Sequence, residues 1–92
     1  RRTMHERRTT IGSRVGLHAR PAATFARAAA EAGIPVTIAA GDRGPVPAAS
    51  MLSVMNRGVE FGQEVVLAAE GPGAEEALEA LVLLLESDLD AH

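Results

Sequence analysis

The chain has 92 residues, a formal net charge of −3 and no cysteine. This length suits one domain with a single core, and the lack of cysteine excludes disulfides and thiolate metal sites, as is typical of a reducing cytosol. Much of the apolar content is alanine, and Phe25 and Phe61 are the only aromatic residues. With no apolar run of membrane-spanning length and no signal-peptide segment, the sequence predicts a cytoplasmic protein with no membrane partner.

The charge is distributed unevenly. Residues 1–57 contain nine arginines and three acids, a formal charge of +6, whereas residues 58–92 contain nine acids and neither arginine nor lysine, a formal charge of −9. One interpretation is a solvated acidic helix at the end of the chain, and the other is that the arginine-bearing part meets an anionic partner or ligand. Nucleic acid is not expected, because the basic excess is modest and lacks interleaved aromatic residues.

Hydrophobic periodicity predicts seven elements after a flexible tail over residues 1–6. Met4 is a candidate native start, which would leave residues 1–3 as a cloning remnant, and residues 7–92 are expected to form one domain. Strands are predicted over residues 8–13, 35–39, 45–47 (an edge strand, because it holds two prolines) and 64–69. Helices are predicted over residues 19–33, 50–56 and 74–89.

The order β-α-β-β-α-β-α predicts an α+β protein, a two-layer open-faced sandwich. In this fold class a four-stranded antiparallel sheet carries three helices on one face. In the first helix, four apolar residues fall at i, i+3, i+4 and i+7 and should face the core: Ala22, Phe25, Ala26 and Ala29.

The segment Val15-Gly16-Leu17-His18-Ala19-Arg20-Pro21-Ala22 places a histidine where a loop becomes a helix. A neutral imidazole is a competent nucleophile toward phosphorus, and the free amides and dipole of a helix start favour an incoming phosphoryl group. Arg20 can donate several hydrogen bonds to phosphate oxygens. These features predict reversible acceptance of a phosphoryl group, with the pKa of His18 lowered by the helix start and Arg20.

The residues alone leave a plainer interpretation open, because a histidine before a helix is commonly a capping or surface residue. Metal binding is not expected, since His18 has no Cys, His or acidic residue nearby in sequence.

The string Gly-Leu-His-Ala-Arg-Pro-Ala resembles the active-site signature of the HPr family, the histidine phosphocarrier proteins of the bacterial sugar phosphotransferase system, and the resemblance extends over residues 8–89. It implies that His18 is phosphorylated on Nδ1, that Arg20 balances the phosphate charge, and that His18, Ala19 and Arg20 bind the phosphoryl group. The partners implied are enzyme I as donor and the IIA domains of sugar permeases as acceptors. The resemblance implies a carrier in a relay, without a cofactor, rather than a stand-alone enzyme. Nothing in the sequence indicates an assembly larger than a monomer.

Ser50-Met51-Leu52-Ser53-Val54-Met55 resembles a second signature of this family, in which a serine opens a short helix. Ser50 is an expected N-cap; by resemblance it is also a candidate regulatory site for a serine kinase and phosphorylase, where phosphate would repel an acidic partner. The resemblance places docking on the first two helices. The predicted docking residues are Thr24, Arg27, Met51, Leu52 and Met55, with Arg57 a weaker candidate.

Two other functions are compatible with the sequence. One is a regulatory relative that binds transcription regulators or enzymes, which the presence of His18 disfavours. The other is a domain of a larger multiphosphoryl transfer protein. The proline-rich segment 41–49 and Asn56-Arg57 depart from the usual pattern of the family, which leaves partner preference open.

Overall fold

The structure is a computed structural model that describes residues 4–12, 16, 19–40, 44–56 and 58–87. Its elements are β1 (Met4–Thr10), α1 (Ala19–Glu31), β2 (Val36–Ala40), β3 (Val46–Pro47), α2 (Met51–Asn56), β4 (Glu64–Glu70) and α3 (Ala74–Glu86). The strands form one antiparallel sheet in the order β1-β4-β2-β3. The predicted element order and fold class are therefore confirmed, and β3 lies at a sheet edge as its prolines predicted.

The sheet buries one of its faces. Side chains alternate between faces along a strand, and in β2 and β4 every second residue is buried: Val36, Ile38 and Ala40, and Val65, Leu67 and Ala69. The register places these residues opposite one another, so they form one continuous apolar surface. Their neighbours on the other face, such as Val66 and Ala68, are only half-buried, which makes the sandwich open-faced.

The helices cover the buried face with the stripes that the sequence predicted. All four residues of the α1 stripe are buried, and Phe25 is the largest of the fully buried side chains. Burying a side chain of this size stabilises the fold by roughly 1.5–3 kcal/mol. Helix α3 contributes Leu78, Leu81 and Leu85 to the same core and packs on β1 and β4, while α1 contacts both α2 and α3.

The first strand begins earlier than predicted. The sequence predicts a flexible tail that includes residues 4–6, but these residues pair with Glu70, Ala69 and Ala68 of β4. The apolar alternation that would reveal a strand is missing, because the residues that β1 turns toward the helices are polar: His5, Arg7 and Thr9. Residues 1–3 lie outside the described residues.

Helix α3 ends three residues before the predicted Leu89, which lies outside the described residues. Ser87 is in an extended conformation, and its N–H donates to the carbonyls of Leu83 and Leu84. Its hydroxyl also donates to the Leu84 carbonyl at 2.6 Å. These bonds satisfy carbonyls that the helix end leaves without intrahelical partners. None of the helices in the described part of the chain has the length and apolar character needed to span a membrane.

Candidate functional site

The histidine loop, residues 12–18, joins β1 to α1 and is described only at Gly12 and Gly16. His18 and the side chain of Ala19 lie outside the described residues, so the phosphate-binding roles given to them and the lowered pKa of His18 stay predictions. The described residues define where the loop begins, where it touches the rest of the molecule, and where the helix after it starts.

Helix α1 starts at Ala19, directly after His18, as predicted. Arg20 is exposed in the first turn, and no ion pair joins it to another described residue. Pro21 is fully buried; its missing N–H costs nothing at a position where no intrahelical partner exists. The first turn contains no acidic residue, so the guanidinium and the helix dipole both present positive charge beside the histidine loop.

Gly16 lies two residues before His18 and has a left-handed φ of +73°. A Cβ added to it would approach the Val59 carbonyl oxygen to 2.5 Å and the Glu60 Cα to 3.1 Å. Glycine is therefore needed at position 16 for two reasons, its left-handed backbone conformation and this close approach. The contact packs the middle of the histidine loop against the turn that follows α2.

The same turn also holds the end of β1. The Ile11 N–H donates to the Gln63 carbonyl at 3.1 Å, and the Ile11 carbonyl accepts from the Gly62 N–H at 2.9 Å. Gly62 and the adjacent Gln63 are thus bonded to Ile11, the residue before the histidine loop, and the turn over residues 59–62 packs against the middle of the loop at Gly16.

Helix α2 presents the second group of predicted site residues. The Ser50 hydroxyl accepts a hydrogen bond from the Ser53 N–H at 3.3 Å, which makes Ser50 the predicted N-cap. Leu52 is 70% exposed and Met51 is 40% exposed. Met55 is half-buried and packs against the core, so it offers a partner less surface than the other two docking residues.

Helix α1 presents the remaining docking residues on one face. Arg20, Thr24 and Arg27 follow a spacing of four and three residues, which aligns them along a helix. Arg20 and Arg27 are exposed and Thr24 is half-buried. Because α1 and α2 contact each other, the predicted docking residues belong to two adjacent helices. Arg57 lies outside the described residues.

The sequence does not predict a site role for Phe61, yet this residue is 60% exposed on the turn that contacts Gly16. Its position beside Gly62 is the one signal in the sequence, and that signal does not distinguish an exposed phenylalanine from a core one. Among the described residues, no three His, Asp or Glu side chains gather as metal ligands would.

An open-faced α+β sandwich with Gly-Leu-His-Ala-Arg-Pro at the start of its first helix is the combination typical of histidine phosphocarriers. The family model for the "PTS HPr component phosphorylation site" matches residues 5–87. The phosphocarrier protein HPr of Streptomyces coelicolor is 53% identical over 87 residues, which cover 95% of this chain and 94% of that protein.

Solved structures agree with this match. A crystal structure of HPr from Thermoanaerobacter tengcongensis is 40% identical with a TM-score of 0.85, covering 94% of this chain and 96% of that one. HPr from Bacillus anthracis is 34% identical with the same TM-score, covering 90% of this chain and 98% of that one. The chain belongs to the HPr family of phosphocarrier proteins of the phosphotransferase system.

Proposed function

We propose that this chain accepts a phosphoryl group on Nδ1 of His18 from phosphorylated enzyme I and passes it to IIA domains of sugar permeases. The observation that carries the proposal is the exposed Arg20 in the acid-free first turn of α1, directly after His18. In this proposal the phosphoryl group on His18 is stabilised by donors of the helix that follows it, namely the Arg20 guanidinium and the first backbone amides of α1.

The transfer requires little covalent machinery from the protein. A bond forms between the imidazole Nδ1 and phosphorus while the bond between phosphorus and the donor's leaving nitrogen breaks. Charge on the three phosphoryl oxygens is met by the Arg20 guanidinium and the first amides of α1, so positioning and electrostatic stabilisation provide the catalysis. The reverse of these steps returns the group to an acceptor.

Purified chain mixed with enzyme I and labelled phosphoenolpyruvate should take up label in an acid-labile, alkali-stable form. His18→Ala should abolish the labelling. Arg20→Ala should slow it on the order of 10²-fold, as does loss of one donor from a site that stabilises developing charge. Arg8→Ala is the control, because Arg8 is exposed on the open face of the sheet and paired with Glu64. Labelling that survives in His18→Ala would refute the assignment of His18.

Transfer onward is tested separately. Labelled chain mixed with purified IIA domains should lose its label to them, and this step should also depend on Arg20. A chain that accepts label and holds it in the presence of every IIA domain would instead support a regulatory function, in which binding rather than transfer is the output.

A further inference from the structure

The C-terminal end of α3 holds the histidine loop at the point where it leaves the sheet. The Gly12 N–H donates to the Leu85 carbonyl at 2.8 Å. Leu85 is in the last turn of α3, where carbonyls have no intrahelical partner. Ser87 satisfies the carbonyls of Leu83 and Leu84, and Gly12 satisfies the next one.

The approach of the two backbones is too close for any residue except glycine. A Cβ on Gly12 would lie 2.0 Å from the Glu86 carbonyl oxygen and 2.5 Å from its carbonyl carbon. Both partners are backbone atoms, so no flexible side chain can move aside. Any other residue at position 12 would push the start of the loop away from α3.

A second bond ties the same two segments. The Thr9 hydroxyl donates to Oε2 of Glu86 at 2.7 Å. Thr9 is 5% exposed, and among the described residues it is the one polar residue that is buried. Hydrogen bonds to a carboxylate are short and stronger than those between neutral groups. Side chain and backbone of residues 85–86 therefore bind residues 9 and 12.

We propose that Thr9, Gly12 and Glu86 are positioning residues, which set the path of the histidine loop for phosphoryl transfer at His18. The inference rests on the proposed function. The loop is fixed at Gly12 by α3, packed at Gly16 against the turn over residues 59–62, and continued by α1 from Ala19. If the bond between Thr9 and Glu86 is lost, the loop start gains freedom, and a smaller fraction of molecules holds the imidazole in line with the donor's phosphorus.

The test uses Thr9→Val, which keeps the shape and the β-branch but removes the donor. The kcat of enzyme I with this chain as the phosphoryl acceptor should fall about tenfold, because a small misplacement of a reacting group slows transfer by this order. KM for the carrier should not change, because α1 and α2, which carry the predicted docking residues, are unaltered. Thr9→Ser restores the hydroxyl and should restore the rate.

Ile38→Val is the control for stability. It removes one methyl group from the buried face of β2, a strand that is not connected to the histidine loop. It should lower thermal stability without a change in the transfer rate. A spectroscopic measurement adds a second readout: in Thr9→Val the amide of Gly12 should exchange with solvent faster relative to core amides, whereas Ile38→Val should leave this ratio unchanged.

The two proposals fail in different ways. Transfer at the wild-type rate by Thr9→Val, or an equal loss in Ile38→Val, would overturn the positioning role while leaving His18 as the acceptor. If wild-type chain took up no label on His18, the proposed function would fall, and with it the catalytic meaning of this contact, even if the exchange of Gly12 confirmed that the contact forms.

Discussion

Gly16 and Gly33 have nearly the same left-handed backbone conformation, with φ of +73° and +77°, but different surroundings. Gly33 follows α1 with nothing within 4 Å of an added Cβ, whereas at Gly16 the Val59 carbonyl oxygen lies 2.5 Å away. We expect Gly33→Ala to lower the free energy of unfolding by about 1 kcal/mol, the usual penalty for a left-handed alanine. Gly16→Ala adds a steric clash and should cost about 3 kcal/mol.

Urea titration of both variants measures the difference. Equal losses of stability would mean that the turn over residues 59–62 does not pack against Gly16 in solution, because only that contact distinguishes the two positions.

Phe61 offers a second prediction at this scale. Exposed aromatic residues are enriched at protein interfaces, and Phe61 lies on the turn that contacts the histidine loop. Leu83 is a matched control, since it is 69% exposed but lies on α3. We expect Phe61→Ala to raise the KM of enzyme I for the carrier about fivefold, the effect of losing one apolar contact of about 1 kcal/mol, and Leu83→Ala to leave it within error. The opposite ranking would exclude Phe61 from the docking surface.

Among the elements, helix α2 combines a structural cap with a candidate regulatory site. Ser50→Ala removes the hydroxyl that accepts the Ser53 N–H and should cost about 1 kcal/mol. Ser50→Asp keeps an acceptor at the N-cap, so its stability should match the wild type. Its added negative charge beside Met51 and Leu52 should nevertheless slow phosphorylation by an acidic partner. Thermal unfolding and the labelling assay separate the two effects; slow labelling of Ser50→Ala but not of Ser50→Asp would contradict a charge mechanism.

Strand β1 shows why part of this fold could not be predicted from the sequence. Periodicity identified β2, β4 and the helices because their inward residues are apolar, and it missed residues 4–6 because β1 turns His5, Arg7 and Thr9 inward. Two of these residues contact groups far away in the chain: His5 Nδ1 is 3.4 Å from Glu75 Oε1, and the Thr9 hydroxyl donates to Glu86 Oε2. A contact between residues seventy or more positions apart leaves no local signal.

In the candidate site, too, features with a local sequence signal could be predicted and contacts between distant residues could not. The motif around His18 and the N-cap at Ser50 are local features, and both helix starts were predicted from them. The attachment of the histidine loop at Gly12 and Gly16 depends on backbone atoms of α3 and of the turn over residues 59–62, and no pattern of residue types within the loop reveals those neighbours.

The pairing of the first residues of β1 with β4 leads to a prediction about the N-terminal residues. Deletion of residues 1–6 removes the pairing of residues 4–6 with β4, whereas deletion of residues 1–3 leaves that pairing intact. We expect the longer deletion to be less stable than the shorter one by about 1–3 kcal/mol, from two or three backbone hydrogen bonds of roughly 1 kcal/mol each. Chemical denaturation of the two truncated chains measures this difference directly, and equal stability would mean that residues 4–6 contribute nothing to the sheet.

At the scale of the whole molecule, the fold brings some residues of the basic part of the chain next to residues of the acidic part. His5 and Arg8, from the basic part, approach Glu75 and Glu64, from the acidic part. The exposed ion pair between Arg8 and Glu64 contributes little to stability, but it places a carboxylate beside a cation of β1. On α1, by contrast, neither Arg20 nor Arg27 pairs with a described residue. Among the described residues, the helix that follows the histidine loop therefore carries two arginines that no acidic side chain pairs with.

This arrangement predicts that the location of a charge matters more than the net charge. Arg27→Gln and Arg8→Gln change the net charge equally, but only the first removes a cation from the proposed docking face. At low salt, Arg27→Gln should lower kcat/KM for phosphorylation by enzyme I by about three- to tenfold, because long-range attraction mainly raises the association rate. At about 0.5 M salt the Debye length falls to a few ångströms and the difference should nearly vanish. Arg8→Gln should match the wild type at both salt concentrations. Equal effects of the two substitutions would show that the partner responds to total charge rather than to this face.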